Sequence, residues 1–269
     1  MHIATVFSFL LAISVVVIGA ITSTKNPLIY MNAHAALVVL GGTFSAAAIS
    51  FGLGRLVSLV RIFLQRVLGS QRDYNPKAII EEMMLLAESY RTSSGQLPNL
   101  IETIKDPFLK EGMSALMDQV LQNEELTRIM QTRALSIYNR YHEDAIKFKA
   151  LAKFPPAFGL MGAVMGMIGI MNELGNTGGG SVVGPSLALA LIGTLYGVTL
   201  ANFVILPVAE NLLDSAREVK TKNLMITEGV SLIMQKKNPI LLAEELNSFL
   251  LAKERIDWKQ MYSRAKTAA

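Results

Sequence analysis

The sequence predicts an all-α integral membrane protein with four membrane-crossing helices, a helical cytoplasmic insertion between the second and third, and a helical cytoplasmic tail. Three observations predict it. Apolar runs at about 3–22, 33–54, 154–174 and 183–208 each reach about 20 residues, which at ~1.5 Å per residue spans a hydrocarbon layer of ~30 Å. Of the 25 Lys and Arg residues, only Lys25 falls in a loop expected on the outer side. No run alternates apolar and polar residues in strand fashion. The expected division is therefore 1–54 for the first two spans, 55–153 for the insertion, 154–208 for the last two spans and 209–269 for the tail.

Composition narrows the function classes. Hydrophobic residues make up 51% of the chain, more than in an average soluble domain, yet long stretches remain charged. With no cysteine, the chain has no disulfide, thiol nucleophile or Cys-based metal site. The net charge of +4 comes without a basic stripe interleaved with aromatics, so nucleic acid is not the expected partner. His2, His34 and His142 are scattered, with no metal-ligand spacing. Gly178 to Gly180 lack the Lys-Ser/Thr end of a phosphate loop, and no nucleophile elbow or kinase motif appears. Neither an enzyme nor a cofactor is expected.

The first run has no basic segment before it and no small-x-small site after it, so it reads as a retained span, not a signal peptide. Asn26-Pro27 turns the chain into the second run, where Gly41, Gly42, Ser45 and Ala46 supply small residues for close packing. Arg55, Arg61, Arg66 and Arg72 then follow at roughly helical intervals and place 55–153, both termini and the tail in the cytoplasm.

Within the insertion, Asn75-Pro76 marks a helix start with Ile79, Ile80, Met83, Met84, Leu86 and Ala87 on its apolar face. Gly95 and Pro98 interrupt it. Asp106-Pro107 opens a second helix, with Phe108, Leu109, Met113, Leu116, Met117 and Val120 as its buried stripe. A third, from about Glu124, runs toward the membrane until Pro155-Pro156 breaks or kinks it. The tail reads as a helix to about Gln235, a break at Asn238-Pro239 and a last amphipathic helix ending near Trp258.

The last two spans form a hairpin around a polar, glycine-rich turn, and they carry the expected site. Gly159, Gly162, Gly166 and Gly169 in one, and Ala190, Gly193, Gly197 and Ala201 in the other, recur at spacings that let helix backbones approach closely in lipid. Thr194 lies within one turn of Ala190 and Gly197, on or beside that packed face; it either serves a polar path or bonds the carbonyl one turn back. None of the four spans holds a central ionisable residue, and Glu173 stands at the outer edge of the third. Ion carriers ordinarily place such a group inside the bilayer, so a conducting role requires a carboxylate from a partner.

LVVLGGTFSAAAISF at 37–51, DPFLKEG at 106–112, PAFGLMGAVMGMIGIM at 156–171 and GPSLALALIGTLYGVTLANFVILPVAENL at 184–212 resemble the MotA family of flagellar stator subunits. The resemblance covers most of the chain, in the family's order of two spans, insertion, two spans and tail. The related ExbB and TolQ proteins usually have one span before the cytoplasmic part, so the 33–54 span favours MotA. It implies a pentamer of this chain around a dimer of a MotB-like single-span partner that brings the ion-carrying aspartate. It also implies a bacterial inner-membrane location and a cytoplasmic rim that drives a FliG-like rotor protein. By the same resemblance Thr194 faces the partner aspartate, while Pro156 and Pro207 couple ion passage to movement. Ala163 stands where sodium-driven relatives carry threonine; it offers no oxygen to a bare sodium ion, which favours protons. The family's rotor-facing arginine and glutamate positions hold Thr92 and Leu100 here, with Arg91 and Glu102 as the nearby substitutes. The other readings of the chain are an ExbB/TolQ-like energiser of outer-membrane transport and a non-conducting membrane scaffold.

Overall fold

The elements begin where local chemistry starts them. In the computed structural model, which describes residues 3–68, 75–93, 95–118, 123–174 and 183–258 (without the side chains of 3–9, 62–68, 123 and 173), every asparagine or aspartate set before a proline caps a helix. Asn26 caps the short 3-10 turn Pro27–Tyr30, and Asn75 Oδ1 accepts the Ala78 N–H at the start of helix α5, Pro76–Arg91. Asp106 Oδ1 accepts the N–H groups of Phe108 and Leu109 at 2.9 and 3.1 Å and opens α7, Pro107–Met117. Asn238 does the same for α12, Pro239–Asn247. Helices and turns account for the described residues, with no strand among them.

The chain forms two compact units, each assembled from two separate stretches. The first comprises 1–72 and 142–213. It begins with α1, Ile3–Ser23. A second helical stretch contains α2 (Ala33–Ala36), a π turn at Leu37–Gly41 and α3 (Gly42–Phe51). The expected span over 33–54 stops earlier, at Phe51, because Gly52 takes φ +78° and ψ 147°, a conformation that ends a helix and suits glycine. A new helix, α4 (Leu53–Leu68), follows at once. Its Leu56 and Leu59 pack with Phe148, Ala201, Ile205 and Val208 in this unit's core.

The long helix α8, Asn123–Leu151, ends before the paired prolines. They stand in the first turn of α9, Phe154–Leu174, where a missing N–H costs nothing, so they start a helix and do not kink one. From Val183 the chain stays helical to Met234: α10 is Val183–Thr199, α11 is Leu206–Met234, and a π turn at Leu200–Ile205 joins them. In that turn the Leu206 N–H reaches the Ala201 carbonyl, five residues back. The widened turn lets the helix accept Pro207, which has no N–H to donate and whose ring crowds the preceding turn.

The second unit comprises 73–141 and 214–269, and it is organised around Met225, Ile226, Val230 and Ile233 of α11. Ile80, Met83 and Leu86 of α5, Leu109 and Met113 of α7, and Met130 of α8 close over them, with α6, Leu97–Thr103, at the side. Asp106 joins α7 to α11 through an ion pair with Lys222 at 2.5 Å. Ile79 is partly buried against this core. Two expectations change here. Met117 is 38% exposed because α7 ends there; Val120 lies outside the described residues, as do Arg72 and most of the 172–183 hairpin. The expected helix to Trp258 stops at Asn247, whose side-chain amide bonds both the N–H and the carbonyl of Ile256 at 2.9 and 3.1 Å and folds the chain back.

Three described stretches, Pro27–Phe51, Glu124–Asn172 and Val183–Met234, contain helices long and apolar enough to cross a membrane. Leu10–Ser23, the part of α1 whose side chains are described, is a shorter apolar helix. Helices of this composition embed in a bilayer because their backbone polar groups are satisfied internally.

Candidate functional site

The site grows from the contact between α9 and α10. A Cβ on Gly159 would stand 2.7 Å from the Gly193 carbonyl oxygen and 3.1 Å from the Thr194 Cα. One on Gly166 would strike the Ser186 carbonyl, and one on Gly197 the Pro155 carbonyl and, at 3.1 Å, the Pro156 Cα. These three glycines bring the two backbones into direct contact. Gly162 and Gly193 have more room: the nearest atom to an added Cβ lies at 3.8 and 3.6 Å. Equal spacing does not distinguish the glycines that bear the contact from those with room beside them.

Thr194 sits at this contact. Its hydroxyl donates to the Ala190 carbonyl at 3.0 Å, with the Gly159 carbonyl next nearest at 3.5 Å. The bond one turn back is therefore made, and it uses the only hydroxyl proton. The residue is nonetheless exposed on the outward side of α10, so its oxygen can still accept a hydrogen bond. Pro156 meets Gly197 at the end of the contact where α9 begins. Ala163 is half-buried between Gly162 and Gly166, and Pro207 is exposed beyond the π turn, more than three helical turns from Thr194.

No Asp, Glu, Lys or Arg occurs between Phe154 and Asn172 or between Val183 and Ala209. Among the described residues no group of three or more His, Asp or Glu could hold a metal ion. The site can accept and donate hydrogen bonds, but it has no group of its own that ionises.

Three further polar residues, not among the expected site residues, lie in the apolar helices of this unit. Tyr196 donates its hydroxyl to the Tyr30 carbonyl and accepts the Asn32 N–H at 3.2 Å, tying α10 to the start of α2. The Thr43 hydroxyl is buried without a partner. Asn202 is exposed, with its Nδ2 on the Val198 carbonyl at 2.9 Å. A polar residue inside an apolar run was the signal for each.

Arg91 and Glu102 lie in the second unit and are both exposed. Arg91 pairs with Glu88 at 3.1 Å within its own helix. Lys110 Nζ donates to the Glu102 backbone carbonyl at 3.2 Å. Glu82, on α5, has a raised pKa because burial disfavours its charge, with Asp106 adding to the effect against the Lys105 N–H and side chain. In the first unit, the Lys147 hydrogen bond and charge hold the exposed Glu143 carboxyl below its usual range.

Residues 100–224 match the MotA/TolQ/ExbB proton channel family. The chain is 30% identical over 221 residues to Motility protein A of Treponema pallidum, covering 81% of this chain and 83% of that protein. Its fold is that of the C. jejuni MotAB structure, with a TM-score of 0.82 at 23% identity over 94% of this chain and 97% of that one. The flagellar MotAB stator complex from Bacillus subtilis has the same fold, with a TM-score of 0.79 at 22% identity over 94% of this chain and 98% of that one.

Proposed function

Since the chain belongs to the MotA family within the MotA/TolQ/ExbB proton channels, whose work is transport and not catalysis, we propose that it is a stator subunit of a bacterial flagellar motor. With a MotB-like partner it forms a proton channel that turns ion-motive force into torque on the rotor. One observation carries the reading. Two helices held backbone to backbone present an exposed hydroxyl, Thr194, on spans without an ionisable residue, so the proton-carrying carboxylate comes from the partner.

The arrangement proposed has four spans, about 3–22, 33–54, 154–174 and 183–208, with both termini in the cytoplasm of the inner membrane. The charge bias supports it, as does a 21-residue first helix. Five copies surround a partner dimer. The partner's carboxylic acid donates to the Thr194 oxygen when protonated and leaves it when ionised; Pro156 and Pro207 set how α9 and α11 respond. Ala163 provides no oxygen ligand, so the ion is a proton and not sodium. The cytoplasmic helices meet the rotor, with Arg91 and Glu102 as the charges offered to it.

Deletion of the gene should leave cells with assembled flagella that do not turn, as seen by electron microscopy and tethered-cell rotation, and re-expression should restore rotation. Normal rotation in a strain with no second stator would contradict the reading and favour an energiser or a scaffold.

A further inference from the structure

Gly52 closes α3 with φ +78°, and α4 starts at the next residue. At about 100° per residue, Leu56 and Leu59 fall on one side of α4, and both are buried in the core with Phe148, Ala201, Ile205 and Val208. Beside them, within an arc of about 60°, stand Leu53, Val57 and Val60, which are 65, 68 and 45% exposed. Arg61 follows at the far edge of that arc and is exposed. The helix therefore has two apolar faces, one packed and one open. The open face begins two residues after Phe51, the end of an apolar stretch able to cross a membrane.

The cations around this point divide into two kinds. Arg55 pairs with Asp144 at 3.1 Å, Lys147 with Glu143 at 2.9 Å and Lys149 with Glu210 at 2.6 Å. Arg61 and Lys153, both exposed, meet no carboxylate among the described residues. Lys153 Nζ instead lies 5.2 Å from the centre of the Phe154 ring, and that ring meets Phe51 edge to face with centres 6.5 Å apart. Lys153 thus stands where α3 ends, α4 begins and α9 begins. In water the open face of α4 would leave apolar area exposed; at a bilayer surface it reaches acyl chains while the flanking cations reach lipid phosphates.

We propose that α4 is a lipid-binding helix selective for anionic phospholipid. Leu53, Val57 and Val60 sit among the acyl chains at the headgroup boundary, and Arg61 and Lys153 hold the phosphates. A headgroup with net negative charge leaves that charge to an unpaired cation, whereas choline or ethanolamine neutralises its own phosphate. The occupant is lipid because the open face continues an apolar helical stretch at its very end and carries spare positive charge at its edge. The inference rests on the stator reading only for naming this leaflet the cytoplasmic one.

The test uses the full chain co-purified with its partner. In native mass spectrometry phosphatidylglycerol should bind more tightly than phosphatidylcholine. Arg61→Gln and Lys153→Gln should each weaken phosphatidylglycerol about fivefold, the factor that ~1 kcal/mol per cation gives, and leave phosphatidylcholine unchanged. Neutralising the paired Lys149 and Glu210 together should keep the preference intact. Equal affinity for the two lipids, or a preference that survives loss of both cations, would overturn the proposal. Competition by inorganic phosphate at millimolar concentration would overturn it too, by assigning the cations to a free anion. Depth is measured separately. The chain has no cysteine, so with a cysteine-free partner Val57→Cys offers one position for a spin label. In vesicles containing phosphatidylglycerol the label should be reached by oxygen and not by a water-soluble nickel chelate. A label reached by neither would mean that protein covers the face, and one reached by the chelate that water does; either result contradicts the proposal. A complex that binds lipid as described but passes no protons would defeat the stator reading and leave this inference standing.

Discussion

Gly159 and Gly162 look alike in the sequence, three residues apart on one helix face, yet they meet different surroundings. Gly159→Ala drives a Cβ into the Gly193 carbonyl at 2.7 Å, backbone that cannot swing aside, so it should destabilise by about 1–3 kcal/mol. Gly162→Ala adds an ordinary contact at 3.8 Å and should be nearly silent. Thermal unfolding of the detergent-solubilised complex separates them, and equal losses would contradict the packing described. Spacing names the face because the helical period does; which glycine bears the contact depends on crossing angle and depth, and no single helix encodes those. Glu82 gives a second prediction. Its folded-state pKa is raised by burial, so the folded chain holds a proton that the unfolded chain has released, and stability falls as pH rises through that window. Glu82→Gln should raise the melting temperature at neutral pH, and the gain should vanish once pH drops below the carboxylate range. A gain that persisted in acid would mean another cause.

Among the elements, those set by local chemistry were legible. Asn75, Asp106 and Asn238 each precede proline and each caps a helix, since a side-chain acceptor and a fixed φ act within three residues. Elements set by distant contacts were not. The π turns at Leu37–Gly41 and Leu200–Ile205 leave no periodic trace, and the tail's last helix fails because Asn247 satisfies the backbone of Ile256 instead of extending. Gly52, expected inside a span, ends it. With φ +78° and no atom within 4 Å of an added Cβ, its constraint is backbone conformation and not space. Gly52→Ala should therefore cost about 1–3 kcal/mol. Gly54→Ala, a few residues on in α4 and equally open, should be neutral or favourable because it relieves helical glycine of its entropy cost. Melting midpoints of the two variants, measured side by side, check the assignment.

At the scale of the whole molecule, two features frame the function: apolar helices whose spans lack ionisable residues, and charged helical segments threaded between and after them. The insertion expected over 55–153 is divided in the structure, with 55–72 and 142–153 belonging to the unit of apolar helices. Those boundary residues carry charge and so read as water-facing, yet Leu56, Leu59, Phe148 and Leu151 on the same helices pack into the apolar unit. A chain whose spans hold no carboxylate of their own should conduct only with a borrowed one. The direct measurement is proton influx in three strains: the chain alone, the chain with its MotB-like partner, and the chain with a partner whose membrane aspartate is changed to asparagine. Influx is expected in the second strain only. Influx through the chain alone, or through the chain with the asparagine partner, would contradict it.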